Sequence, residues 1–526
     1  VRSGDNRLLK NQGNNRFIDV AIQAGVAKAG NSRTSVFGDF NNDGWPDLYV
    51  GNFNEADVLY LNQGDGTFLD ITKTAGIDSP GRAFSVNLAD VDRDGLLDIY
   101  IANFQTQNIL YRNLGNMQFE DITIFSRALS TYNAMGALFF DYDNDGDQDL
   151  YLTHDGQPNI LYQNMGNGRY FDASRRAGVD YQGFGMGVDA ADVNRDGWLD
   201  LYITNLYENV LFINNGNGKF TNVSQDAKVD DYGMAWGTNF FDYNNDGWPD
   251  IYVTNDSYFS PYPNVLYKNK GNTRFEIMSE NQPVASVQGG YGSATADVDQ
   301  DGRLDLLVAN AASRDNLQLF NNQSEAGNWV SFALIGKESN RSAVGARIQI
   351  WDNQGRYHFD ELHAGSSYAS QNSSRMHFGL GTVDQIDSIL IQWPNGMQQF
   401  FYDIMPNQFY EIIEGEALRP VAVTTDLTKL SIQDKISFTA QPTPATSFVE
   451  FSWQLNGRVV QPNLIQVFNL QGQEVWRKVI DSSLQASSIE WDLQQKNGAN
   501  ALSGIYFVKA SLNGLPLGQG KLILIR

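Results

Sequence analysis

Asp39-Phe40-Asn41-Asn42-Asp43-Gly44-Trp45-Pro46-Asp47 is one of six copies of a nine-residue pattern, Asp-x-Asp/Asn-x-Asp-Gly-x-x-Asp, and its recurrence decides the fold. The other copies run Asp90 to Asp98, Asp141 to Asp149, Asp192 to Asp200, Asp242 to Asp250 and Asp297 to Asp305, with starts 51, 51, 51, 50 and 55 residues apart. A period this regular marks a repeat architecture. Oxygen-bearing side chains at positions 1, 3 and 5, a glycine at 6 for the sharp turn and a closing carboxylate are what wraps a hard cation. The loop closes at position 9 rather than 12 and leads into a strand, which rules against an EF-hand. A single Asp-Asn-Gly run is an ordinary turn. Six in register point to Ca2+, about six ions in all. Position 7 is Trp45, Leu96, Asp147, Trp198, Trp248 or Arg303. Its free variation is expected if only its backbone carbonyl meets the metal.

Each loop runs at once into a short β-branched and aromatic stretch, such as Asp47-Leu-Tyr-Val-Gly-Asn52 or Asp98-Ile-Tyr-Ile-Ala-Asn103, which reads as a strand. A hairpin signal follows, as in Asn108-Ile-Leu-Tyr-Arg-Asn-Leu-Gly115 with Phe119-Glu-Asp-Ile-Thr123. With the strand before each loop, every period supplies about four short strands, the content of one propeller blade. The hairpin occurs once more than the loop: Asn6 to Gly13 with Arg16 to Asp19 precedes the first loop, and the last copy, Asn316 to Asn322, lacks its second half. We expect N-terminal strands to complete a blade begun at the other end, closing the ring. Six blades satisfy this count, and so does a seventh, loopless blade shared between the N-terminus and later sequence.

Residues 1 to about 325 resemble the FG-GAP or VCBS repeats of integrin-type propellers, in which Ca2+ sits in a loop between the first two strands of a blade. The resemblance implies as ligands Asp39, Asn41, Asp43 and Asp47; Asp90, Asp92, Asp94 and Asp98; Asp141, Asp143, Asp145 and Asp149. The remaining sets are Asp192, Asn194, Asp196 and Asp200; Asp242, Asn244, Asp246 and Asp250; Asp297, Asp299, Asp301 and Asp305. Loops with Asn at position 3 carry one charge less and should bind more weakly. From about Asn328 the period is lost. Ser339 to Arg347, Gly365-Ser-Ser-Tyr368, His377-Phe-Gly-Leu-Gly381 and Trp393-Pro-Asn-Gly396 resemble the ASPIC/UnbV module, which often follows such repeats in bacterial proteins and in cartilage acidic protein. The expected organisation is a propeller over 1–327, a small β domain over 328–415, a linker over 416–434 and an immunoglobulin-like sandwich over 435–526. In the last of these, Phe468 to Glu474, Leu502 to Phe507 and the Lys521-Leu-Ile-Leu-Ile-Arg526 ending look like the C-terminal sorting domain of type IX secretion substrates. That resemblance implies export across the outer membrane, to the medium or the cell surface.

The fold class is therefore all-β: a Ca2+-binding β-propeller of seven blades or six, followed by two β domains. The net charge of −24 argues against nucleic acid and anionic membranes. Much of it is local, because 21 of the 61 acidic residues are Asp at loop ligand positions. There is no cysteine, hence neither disulfide nor thiolate chemistry. No run approaches the roughly 20 apolar residues of a membrane span. Val1 does not begin a signal peptide, so the chain reads as mature or trimmed. The four histidines, His154, His358, His363 and His377, show no zinc spacing, and neither a nucleophile elbow nor a phosphate loop is present. An enzyme is not expected. The expected partners are an extracellular polysaccharide or a surface protein, bound for adhesion. Self-assembly into a homo-oligomer, layer or filament and action on polysaccharide are the alternatives. Trp45, Trp198 and Trp248, at one loop position, would either stack on sugars or pack between blades.

Overall fold

A computed structural model describes residues 4–13, 15–79, 81–257, 261–280, 282–310, 317–421, 436–441, 448–455, 464–469, 474–480, 488–494, 500–512 and 515–524. The chain divides into two compact units, Val1–Val423 and Thr424–Arg526.

In the first unit, blade 1 is the antiparallel series Ser32–Gly38, Asp47–Asn52, Val58–Asn62 and Phe68–Asp70. The same order recurs over 83–121, 134–172, 182–222 and 235–277, giving blades 2 to 5. Blade 6 has three strands, Gly290–Ala296, Asp305–Asn310 and Leu317–Phe320. The innermost strands of successive blades lie side by side from blade 1 to blade 6. Neighbouring blades cover both faces of each sheet, so a second strand such as Asp98–Asn103 is buried at every residue. That is why these strands read as continuous apolar runs rather than alternating ones. At their centres Tyr49, Tyr100, Tyr151, Tyr202 and Tyr252 are fully buried. Four of them donate to the linker leading to the next blade, at Ala128 O, Val179 O, Val229 O and Val284 O, over 2.6–3.0 Å. Leu307 stands at this register in blade 6 and is 38% exposed, because the chain there leaves the propeller.

The topology decides the blade count. The hairpin Leu9–Asn11 and Phe17–Asp19 forms a sheet of its own and does not extend blade 6. In blades 2 to 6 a hairpin asparagine donates from Nδ2 to the position-2 carbonyl of the preceding loop: Asn113 to Phe40, Asn164 to Val91, Asn214 to Tyr142, Asn269 to Val193, Asn322 to Tyr243. Asn11 donates to Val298 O of the sixth loop in the same way, at 2.9 Å. The N-terminal hairpin is therefore the outer half of a seventh, loopless blade. Of the two counts the sequence left open, seven blades holds and the six-blade alternative is set aside.

The second domain has two four-stranded sheets. One contains Arg375–Gly381, Asn328–Ile335, Gln408–Ile413 and Arg419–Val421, with a parallel central pair. The other contains Tyr357–Glu361, Arg347–Asp352, Ile386–Gln392 and Gln398–Ile404. Between them lie Phe332, Ile348, Ile389 and Trp393, all fully buried. Because Arg419–Val421 is hydrogen-bonded into this sheet, the domain continues past 415; the rest of the expected linker, 422–434, lies outside the described residues. Buried Glu414 fastens the loop that faces the propeller. Its Oε2 accepts the N–H groups of Lys337, Glu338 and Ser339 at 2.7–2.9 Å, and its Oε1 accepts Asn395 Nδ2 at 2.6 Å. Burial opposes the carboxylate, but these donors outweigh it and hold Glu414 below the usual range. Glu414→Ala strands three N–H groups and should cost about 3 kcal/mol in urea unfolding. The contribution of the intact carboxylate is present above its unfolded pKa and is lost as pH falls through its lowered folded pKa.

The second unit is a sandwich of two antiparallel sheets, with strands Ile436–Gln441, Val449–Leu455 and Ser488–Trp491 in one. Glu474–Val479, Leu464–Asn469, Gly504–Leu512 and Leu515–Leu524 form the other. Phe451 and Trp491 meet Ile465, Val467 and Val508 in its core. Of the sorting-domain stretches, 470–473 and 525–526 lie outside the described residues.

Candidate metal centres

All six loops share one hydrogen-bonded geometry. The position-1 carboxylate accepts the position-5 N–H on Oδ1 at 3.0–3.1 Å and the Gly N–H of position 6 on Oδ2 at 2.5–2.9 Å. The position-9 carboxylate accepts the position-2 N–H at 2.9–3.1 Å and the N–H of the following hairpin's asparagine at 2.7–2.8 Å. One closing Asp thus ties its loop to the third strand of its own blade. The turn needs left-handed backbone at two places: Gly44, Gly95, Gly146, Gly197, Gly247 and Gly302 at position 6, and Asn42, Arg93, Asn144, Arg195, Asn245 and Gln300 at position 4.

Position 4 was invisible to a reading built on ligand positions, and it links the loops. Asn42 donates to Gly95 O, Asn144 to Gly197 O, Arg195 to Gly247 O and Asn245 to Gly302 O, at 2.8–3.1 Å. Arg93 ion-pairs with Asp147 at 2.7 Å. Each loop therefore holds the next around the ring. The sequence signal was there, in five asparagines or arginines and one glutamine at a single repeat position.

Four observations fit the loops to a divalent cation. Carboxylate oxygens of Asp90, Asp92 and Asp94, of Asp141, Asp143 and Asp149, and of Asp297, Asp299 and Asp305 lie within 4.8 Å of one another in each set. Position-3 oxygens of Asp92, Asp143, Asn244 and Asp299 are buried with no hydrogen-bond partner, a costly state unless a cation is their partner. Burial and the neighbouring carboxylates push Asp90, Asp192 and Asp242 up to about 7, and burial raises Asp98, Asp149, Asp200 and Asp250 strongly. A bound dication reverses that repulsion. The position-7 tryptophans turn away: the rings of Trp45, Trp198 and Trp248 lie against Gly64, Gly216 and Gly271 of their own blades, and the Arg195 guanidinium stacks 3.8 Å from the Trp248 ring, whereas the Arg303 guanidinium pairs with Asp301 of its own loop. Trp45 is half-exposed. The two remaining loops keep the same frame, with Asp39, Asn41, Asp43 and Asp47, and with Asp192, Asn194, Asp196 and Asp200, although Asn41 and Asn194 Oδ1 accept position-5 N–H groups.

The second domain lies on this loop face. Ser342 Oγ accepts Asp39 N–H, Arg341 N–H donates to Asn42 Oδ1, and His377 Nε2 meets Asn245 Oδ1 at 2.9 Å. Its segment 363–373 enters the central channel. There Ala364 O accepts Leu88 N–H, and Ser367 exchanges backbone bonds with Val188. The Gln371 carboxamide bonds both N–H and C=O of Phe37 in blade 1, while Asn372 and Ser373 bond Thr295 in blade 6. This segment spans the place where the inner strands of the seventh blade would stand. His358, His363 and His377 line one cavity of about 140 Å³ here with Asp189, Asp360 and Glu361.

A ring of antiparallel blades carrying regular acidic loops defines an acidic-loop β-propeller protein. Family models agree: the FG-GAP-like repeat matches residues 1–50, 39–101, 90–152, 141–203, 192–253 and 242–308, and the ASPIC and UnbV model matches 336–419. The chain belongs to the FG-GAP-like repeat family. It is 25% identical over 438 residues to cartilage acidic protein 1 of Mus musculus, a match covering 75% of this chain and 67% of that protein. To the Homo sapiens protein it is 31% identical over 208 residues, covering 36% of this chain and 30% of that one. Among solved structures, an Agrocybe aegerita lectin aligns with a TM-score of 0.40 at 17% identity, over 61% of this chain and 89% of its own, a likeness too distant to argue from.

Proposed function

We propose that the protein is a secreted, Ca2+-stabilised adhesion module that binds an extracellular polysaccharide or surface protein, with no catalytic role of its own. The observation that carries this reading is the position of the metal loops. In blades 1 to 5 the first and closing carboxylates of each loop are buried and committed to backbone N–H groups, so a cation held there would fix a turn between two strands. Bound metal would supply charge neutralisation of the clustered carboxylates; the chain's own residues orient those carboxylates through the backbone bonds above. The C-terminal sandwich, by its resemblance to type IX sorting domains, would carry the protein to the cell surface. A pull-down of the purified full chain with insoluble polysaccharides and with whole cells, in Ca2+, tests the reading. Retention on one of these surfaces is expected, and failure to bind any would overturn it.

One observation favours an enzyme instead. Burial pushes Asp189 and Asp360, in the histidine-lined cavity, up to about 6 and about 7, values suited to acid–base work. At about 140 Å³ that cavity is smaller than the roughly 300–1,000 Å³ of ligand pockets. Release of reducing ends from polysaccharide, lost in Asp360→Asn, would establish the enzyme reading.

A further inference from the structure

The propeller end opposite the metal loops carries an unassigned aromatic floor. Arg33, Phe84, Met135, Met186, Trp236 and Tyr291 occupy one repeat register, at the start of the inner strand of blades 1 to 6. The loops leave from the other end of those strands. Tyr368, at the tip of the channel segment, comes up between them and is itself buried. Tyr291 stacks on Trp236 at 4.5 Å, Trp236 meets Tyr368 at 4.9 Å, Tyr368 meets Phe84 at 6.5 Å, and Phe84 meets Phe104 at 5.1 Å. Phe53 joins Phe84 at 5.6 Å and lies between the guanidinium groups of Arg33 and Arg82, at 5.0 and 5.1 Å. The result is a contiguous cluster of aromatic rings, one pair stacked and the others tilted or edge-to-face, across a channel mouth whose floor is closed.

Phe53, Phe104, Trp236 and Tyr291 are only half-buried, although a channel plug alone needs no more than Phe84, Met135, Met186 and Tyr368, which are buried. Polar groups border the arc. The Tyr291 hydroxyl donates to Asp256 Oδ2 at 2.9 Å, leaving that carboxylate acceptor capacity, and the guanidinium groups of Arg33 and Arg82 stand beside Phe53. Flat aromatic faces with a few fixed donors and acceptors suit the C–H faces and hydroxyls of a sugar ring. The charge balance selects the kind of sugar. Arg33 and Arg82 at the mouth are engaged by the rings of Phe53 and Phe84, and a chain of net charge −24, still −12 with six Ca2+, with Asp256 at the same mouth, disfavours polyanions.

We propose that this mouth is a binding site for a neutral polysaccharide segment, stacked along Tyr291, Trp236, Phe104 and Phe53 and hydrogen-bonded by Asp256. The proposal deepens the polysaccharide arm of the adhesion reading and rests on it. It is tested with the full chain in Ca2+, titrated with soluble neutral glucans, mannans and xylans and with a uronate polymer as the charged comparison. Wild type should bind a neutral polymer and not the uronate. Trp236→Ala and Phe104→Ala should each weaken binding at least tenfold, and Tyr402→Ala, an exposed aromatic of the second domain, should leave it intact. Phe104→Leu and Asp256→Asn, which keep the volume, serve if the alanine variants fail to fold. Neutral-glycan binding that survives the mouth variants overturns the site and leaves the adhesion reading standing. Preference for the uronate overturns the proposed ligand. A folded wild type that binds no glycan overturns the proposal and the polysaccharide arm together.

Discussion

Removing Ca2+ with EDTA is expected to lower the melting temperature of the first unit by about 20 °C or more, because about six sites each add a mass-action term of about 2–4 kcal/mol when saturated. The pH response should reverse sign as well. Without metal, the carboxyls of Asp47, Asp90, Asp141, Asp192 and Asp242 are pushed up to about 7, chiefly by burial, and those of Asp297 and Asp305 to about 6. A folded pKa raised above the unfolded value means that the native state holds more protons between the two. The stability tied to those protons is fully present below pH 4 and is lost as pH rises through 6 to 7. The apo protein should therefore weaken from pH 5 to pH 7.5. With Ca2+ in excess the same carboxylates must be ionised to bind metal, so protons compete with it and stability should rise over that interval. Urea midpoints at both pH values, with Ca2+ and with EDTA, should give slopes of opposite sign. Parallel slopes, or a melting temperature indifferent to EDTA, would remove the metal from this account.

The repeat was legible because its two causes are local. A cation turn demands particular residue types at fixed spacing, and a strand buried on both faces demands an unbroken apolar run, as in Asp98–Asn103. What escaped the sequence depends on contacts across the ring. Asn11 looks like any hairpin asparagine, and only its bond to Val298 O assigns the hairpin to a seventh blade. Gln371 and Asn372 sit in an irregular loop, and nothing local predicts that they would dress the inner edges of blades 1 and 6. His358 and His377 stand on strands Tyr357–Glu361 and Arg375–Gly381 of two different sheets, and only the fold brings them to one cavity with His363. His377 stacks on Trp329 at 5.8 Å, and burial lowers it to about 4, so it is neutral near pH 7. The loop tryptophans were weighed as sugar platforms or inter-blade packing. They lie chiefly on the glycines of their own hairpins, which the repeat spacing alone could not disclose.

Arg347→Met should destabilise the first unit by about 3–5 kcal/mol, the range for breaking a buried ion pair by removing one partner. Arg347 is 4% exposed and reaches from the second domain into the third loop. Its Nη1 lies 2.9 Å from Asp141 Oδ2, its Nη2 bonds Asn144 Oδ1, and its Nε is 3.3 Å from Glu361 Oε2. Glu361 in turn accepts the Asp141 N–H at 3.2 Å and Gln148 Nε2 at 3.0 Å, and His363 sits 3.3 Å from it. With the guanidinium gone, Glu361 is a buried carboxylate facing a loop already crowded with negative charge. That uncompensated charge, more than the lost attraction, sets the size of the effect. Arg347→Met combined with Glu361→Gln removes both charges and should therefore recover part of the loss, where two independent contacts would simply add. Because Asp141 Oδ1 still faces Asp143 and Asp149, excess Ca2+ should also narrow the deficit of Arg347→Met, by giving Asp141 another cation to hold. Urea unfolding of the two single variants and the double variant, each at low and high Ca2+, measures both terms. A double variant at the additive sum, with a deficit independent of Ca2+, would show that Arg347 acts by packing alone and that the third loop does not couple the propeller to the domain above it.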